Sequence, residues 1–281
     1  MLPLLNIGLR AARTASGQVI RAMERLDLIH AENNDLKHYL TKVCIGAETA
    51  AAYEIQKLYP QHQVIGSTTQ TITGATEPSS HIWHINAIDG LNQYAHNLPL
   101  FALTLSCHEQ GVLKHSIVLC PLTGEEFTAS KGCGAQLNGC RIRASKHNTL
   151  RGAQLGTAYG TNQDTTVIHQ CTAMQRYLMQ QGSQIYLNMA SAMTLAYVAA
   201  GRLDGCWLNL VATQSVLAGQ LLAREAGALV GDFSGNSQTL KQHELVVASP
   251  KLFKLILQSI RRVRQDQSIQ IEGTCMNQNN G

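Results

Sequence analysis

Apolar side chains recur at Leu5, Leu9, Ala12, Val19, Met23 and Leu26, roughly the spacing of one helix face, and predict a long amphipathic helix over residues 2–26. A second helix is predicted over 47–58. It stops at Tyr59-Pro60, because proline disfavours helical geometry in the residue before it. Gln61 to Ile65 reads as a short strand, and the polar residues that follow to Ser80 as a surface loop. Alternation and β-branching then take over. His81 to Ile88, Phe101 to Cys107 and Lys114 to Cys120 read as strands, and Pro121 to Phe127 and Lys131 to Gly139 continue the meander. Arg143 to Arg151 is a polar crossing. Beyond it the pattern predicts helices at 165–181 and 190–202, a third ending at Glu225-Ala226 with Gly227 as its C-cap, a last strand at 245–248 and a final helix at 250–264. The expected organisation is an N-terminal α+β half over 1–145, a C-terminal α/β half over 146–265 and a polar, disordered tail over 266–281.

Composition narrows the class. With 281 residues, 44% hydrophobic and 14% charged, the chain can bury a large core and does not read as disordered. A net charge of +4 is too small to imply nucleic-acid binding on its own. The local run Arg261, Arg262, Arg264 leaves two readings open, a solvated helix face or an RNA contact. Eight cysteines form no C-x-x-C pair, and Cys107, Cys120 and Cys206 lie inside apolar runs, where a thiol acts as a small hydrophobe. Free thiols, no secretory signal and no apolar run of about 18 residues lead us to expect a soluble cytoplasmic protein.

The chemistry centres on Trp83 to Phe101, WHINAIDGLNQYAHNLPLF. Here a strand delivers Asp89 to Gly90. A carboxylate at such a place can aim an oxygen at a metal or a phosphate, but Asp-Gly is also the commonest tight-turn dipeptide. The stretch resembles the inositol monophosphatase signature W-x-I-D-P-I-D-G-T-x-N-F with P-x-F-A after it, through Trp83, Ile85, Ile88, Asp89, Gly90, Pro99, Phe101 and Ala102. Gly132, Gly134, Ala135, Asn138 and Gly139 match a further family motif. Gly219, Glu225, Ala226, Gly227 and Asp232 match the second signature. The likeness covers roughly residues 1–260 and is greatest to the bacterial SuhB-type branch, on LPLLNIGLRAAR, YPQH and LAYVAAGR.

That resemblance implies an α/β fold, a layered αβαβα sandwich of the inositol monophosphatase/fructose-bisphosphatase type, usually a homodimer. It also implies a magnesium centre whose carboxylates hold the ions that polarise a phosphate and activate water. Residue by residue, the chemistry is thinned. The G-E-E glutamate corresponds to Thr68, the first aspartate of the pair to Asn86, the T-x-V-D aspartate to Cys44 and the W-D-x-A-A-G aspartate to Ser215, beside Gln214. The phosphate-binding threonines correspond to Leu91 and Asn92, the glutamate for an inositol hydroxyl to Leu208 and the lysine to Asn34. Only Asp89 remains as an acid. Losing the other anionic ligands weakens ion binding by several kcal/mol, at about 4 kcal/mol per close charge pair in an intermediate dielectric.

The expected catalytic set is therefore not intact at Thr68, Asn86, Asp89, Leu91 and Ser215. Gly90 and Asn92 remain as a phosphate side, and Asp89, with Asn86, as a weak metal position. A slipped alignment would offer Asp35, Glu48, Asp204 or Asp232 instead, and no Ser-His-Asp set replaces the lost one, with His84 read as a strand residue. Two functions follow from the resemblance and a third from the basic run near the end of the chain. The first is an inactive homologue acting as a dimeric interaction protein, with RNA polymerase or Nus-factor proteins as partners in rRNA transcription antitermination and no cofactor. The second is a Mg-dependent inositol-1-monophosphate phosphatase with a remodelled site. The third is direct RNA binding through Arg261, Arg262 and Arg264.

Overall fold

The computed structural model describes residues 2–31, 35–73, 79–159, 165–187, 189–209, 213–237 and 244–278. Helix α1 (Pro3–Met23) places proline in its first turn, where the missing N–H has no intrahelical partner to lose. It buries the predicted stripe of Leu5, Leu9, Ala12 and Val19. Gly8 lets it close on the sheet: a Cβ there would lie 2.8 Å from the Trp83 ring and 2.9 Å from Ile117. After α2 (Leu26–Ala31), α3 (Leu36–Gln56) begins well before the predicted residue 47. Asp35 is the reason, since its side chain accepts from the His38 N–H at 3.1 Å and caps the first turn.

The strands β1 (Gln63–Gly66), β2 (Gln70–Thr73), β3 (His81–Asp89), β4 (Ala102–Glu109), β5 (Val112–Cys120), β6 (Glu125–Ser130), β7 (Gly134–Leu137) and β8 (Cys140–Ile142) form one sheet in the order β2-β1-β3-β4-β5-β6-β7-β8. The polar stretch after Ile65, read as loop, contributes the hairpin strand β2. The five-residue α4 (Leu91–Ala95) follows β3 directly. A second sheet takes β9 (Gln154–Tyr159), β10 (Gln184–Tyr186), β11 (Gly205–Asn209), β12 (Leu229–Gly231) and β13 (Glu244–Ala248) in the order β10-β9-β11-β13-β12.

The remaining helices are α5 (Thr165–Gln180), α6 (Ser191–Ala199), α7 (Thr213–Glu225) and α8 (Pro250–Gln278). Four apolar clusters define the stacking. Helices α1 and α3 pack on one face of the first sheet, and α6 and α7 lie between the two sheets. Helices α5 and α8 cover the far face of the second sheet. The result is the expected αβαβα sandwich.

Helix α8 differs from expectation at its end. It runs to Gln278, through most of the 266–281 segment read as disordered. Propagating a helix costs far less than starting one, and the packed turns from Leu252 to Val263 supply the start. Residues 279–281 and Asn34 lie outside the described residues.

Candidate functional site

Strand β3 carries the signature residues, and its register decides where they point. Asn86 pairs with Thr104 while Asp89 pairs with Ala102, so β3 holds one more residue than β4 across this interval. Side chains three apart on a regular strand face opposite ways. The bulge instead brings Asn86 and Asp89 to the same side, toward α6 and α7.

Asp89 is buried and accepts from the Ala192 N–H at 2.7 Å, in the first turn of α6. The N-cap residue Ala190 has no side-chain acceptor of its own, so Asp89 caps the helix from another strand. Ser215, in the first turn of α7, hydrogen-bonds Asp89 as well. Burial pushes the Asp89 carboxyl up to about 6, and the two hydrogen bonds pull it only partly back.

From Ser215 the network runs outward. Asn86 Nδ2 donates to Ser215 Oγ at 3.2 Å, and Asn86 Oδ1 faces the Ser67 hydroxyl at 3.2 Å. That hydroxyl also lies 2.9 Å from Glu48 Oε1, so its single proton serves Asn86 and Glu48 together. Glu48, fully buried on α3, further accepts from the N–H groups of Thr68 (3.1 Å) and Thr69 (2.9 Å) and from the Thr69 hydroxyl (2.7 Å). Gly66 leaves room for this approach: a Cβ there would sit 2.2 Å from both Glu48 Oε2 and Thr69 Oγ1. Ser67 lies beside Thr68 in the stretch that aligns with G-E-E, whereas Glu48 falls in no motif. Glu48 was visible in the sequence only as a stray acid.

The structure thus gathers Cys44, Thr68, Asn86, Asp89 and Ser215 from distant segments into one neighbourhood, with Glu48 and Ser67 as the additional members. Burial, then the charge of Glu48, push the Cys44 thiol up to about 11 despite a hydrogen bond with Thr68, so it stays neutral at physiological pH. Leu91 and Asn92 are exposed on α4, after Gly90 has turned the chain in the left-handed region at φ 94°. Leu208 is buried in the core between the second sheet and α6–α7. His84 faces His108 edge-on at 5.1 Å, and burial and that neighbour push its pKa down. It is a sheet residue whose buried Nδ1 has no hydrogen-bond partner among the described residues.

The other acids are structural. Asp35 caps α3, and Asp204 accepts from Ser145 and, at 2.8 Å, from the Gln154 N–H. Asp232 folds its own turn, accepting from Ser234 and Asn236. Magnesium needs several oxygen donors with net negative charge and free lone pairs. Both carboxylates at the cluster are already engaged, and among the described residues no three His, Cys, Asp or Glu side chains come together as a ligand set. The residues present do not fit a magnesium centre.

Comparison with known proteins agrees with the architecture. The model of the inositol monophosphatase family matches residues 1–265. The Nus factor SuhB of Pseudomonas aeruginosa is 39% identical over 262 residues, covering 93% of this chain and 97% of that protein. The Nus factor SuhB of Escherichia coli K12 is 33% identical over 264 residues, covering 93% and 97%. Among solved structures, the extragenic suppressor protein SuhB of Bartonella henselae superposes with a TM-score of 0.80 at 25% identity, over 92% of this chain and 100% of that one. The inositol monophosphatase of Anabaena superposes at 0.75 with 22% identity, over 92% and 95%. The chain is a member of the inositol monophosphatase family.

Proposed function

We propose that the chain is a catalytically inactive member of its family that works as a dimeric, cytoplasmic interaction protein, assembling with RNA polymerase and Nus-factor proteins in rRNA transcription antitermination. The observation that carries this reading is the buried network Glu48–Ser67–Asn86–Ser215–Asp89, in which hydrogen bonds inside the protein take up both carboxylates. The relatives called Nus factor SuhB support the partner half of it. Among the described residues no helix is long and apolar enough to cross a membrane.

Phosphate release from inositol 1-phosphate in millimolar magnesium is the test. No rate above that of the Asp89→Asn variant is expected, and turnover that this substitution abolishes would sink the proposal. A second reading, a Mg-dependent phosphomonoesterase with a remodelled site, is favoured by family membership and by the retained Asp89-Gly90. Calorimetry that finds no magnesium or manganese binding at millimolar concentration removes it.

A further inference from the structure

The outer layer made by α5 and α8 is chemically one-sided. Across Thr165–Gln180 and Pro250–Arg264 there is no Asp or Glu, against Arg176, Lys251, Lys254, Arg261, Arg262 and Arg264. The whole chain nearly balances, with 22 Lys and Arg against 18 Asp and Glu. Two acids temper the face: Glu244 pairs with Arg264 at 2.7 Å, and Asp266 lines the groove between the helices. The Arg262 guanidinium lies over the Tyr177 ring, 5.7 Å from its centre, a cation–π distance.

The groove is not merely basic. Val263 also borders an apolar slot of about 30 Å³ among Met174, Trp207, Phe233 and Ile260. Trp207 is only 2% exposed, and its indole N–H has no partner among the described residues. A buried donor left unmet is a standing cost that an entering acceptor removes. Along α5, Ile168 and Met179 are exposed at 46% and 61%, on a stripe shared with Thr172 and Arg176 at steps of four, four and three.

We propose that the α5–α8 face is a docking surface for an acidic, amphipathic segment of a partner protein. Its carboxylates meet Arg176 and Arg262, a small hydrogen-bond acceptor enters the slot beside the Trp207 N–H, and apolar side chains cover Ile168 and Met179. A nucleic acid fits this face less well. Its phosphates would find the arginines, but it would leave the two apolar side chains bare, and the Tyr177 face a base would stack on is already covered by Arg262. The inference rests on the reading of the chain as an interaction protein and adds the surface and the partner's chemistry.

Fluorescence anisotropy on the full chain tests it with three labelled probes: a peptide alternating Glu and Leu, one of equal length alternating Glu and Ser, and a single-stranded RNA of matched charge. The Glu–Leu peptide is expected to bind, and the other two to bind at least about tenfold more weakly. The paired change Arg176→Glu with Arg262→Glu is expected to weaken the Glu–Leu peptide by at least about tenfold. Ile168→Ser with Met179→Ser, also at exposed positions, is expected to weaken it while leaving the salt dependence unchanged. Trp207 emission should shift on binding.

Equal binding of the RNA, no binding of the Glu–Leu peptide, or indifference to the charge reversal would overturn the assignment. Co-purification with Nus factors separates the two proposals. If the charge-reversed chain still associates as the wild type does, the surface is elsewhere and the interaction role stands. If the wild type itself fails to associate, the interaction role falls.

Discussion

A carboxylate shut away from water resists ionisation, and Asp89, held near 6 by its burial, carries a pH signature that can be measured. Unfolded, it releases its proton around 3.8; folded, around 6. Because the folded value is the higher one, its contribution to stability is complete below about pH 4. It is lost as pH rises through 6, by about 3 kcal/mol in all. Asn at this position keeps an acceptor for the Ala192 N–H and has no charge to desolvate. Asp89→Asn should therefore be more stable than the parent at pH 7, with the advantage vanishing by pH 4, as urea melts at several pH values would record. A variant less stable at pH 7 would mean that the charge itself holds α6 and α7. Asp89 was legible in the sequence because Trp83, Ile85 and Gly90 frame it. Its partner was not, because a backbone N–H such as that of Ala192 leaves no residue-type signature. Glu48 was hidden for a related reason: its donors lie about twenty residues further along, and two of the four are main-chain N–H groups.

Elements are joined across the molecule by a similar device. Glu225, in the last turn of α7, accepts from the N–H groups of Gly132 and Gly134, each at 2.8 Å, and so ties α7 to the turn between β6 and β7. Both glycines stand in the left-handed region, at φ 78° and 84°, which sets their N–H groups toward one carboxylate. Truncation by Glu225→Ala should cost about 1 kcal/mol, since water can reach the exposed Gly132 N–H, and Glu225→Gln, with one acceptor left, should recover part of it in chemical denaturation. The glycines and Glu225 were recognisable as motif residues, but that they bind each other was not, since they lie in different signatures. The longer strands β3, β4 and β5 were read well. The parallel strands β9 and β11 escaped, because β11 is buried at every position and carries no alternation to read. Helix α8 was cut short for another reason: beyond Arg264 polar residues dominate, and a helix carried forward by its packed start has too sparse an apolar pattern to announce it.

At the scale of the whole molecule, family membership and local chemistry pull apart. The fold belongs to a magnesium-dependent family, yet the seam where α3, β3, α6 and α7 meet is closed by the protein's own donors and acceptors. A cation that binds only the folded state stabilises it by RT ln(1 + [L]/Kd), so a site of ~0.1 mM affinity would add about 2 kcal/mol in ~5 mM magnesium. For a chain of this size that is a rise of roughly 3 °C or more in Tm. Melting in ~5 mM magnesium and in excess chelator should give midpoints within about 0.5 °C of each other. A rise of several degrees, present in the parent and absent in Asp89→Asn, would show that Asp89 can leave the Ala192 N–H and hold an ion. That exchange would cost α6 its cap, so magnesium would also have to raise the amide exchange rate at the start of α6 while it raised Tm. A rise in both readouts would identify ion binding at Asp89, whereas ions at surface carboxylates would raise Tm alone.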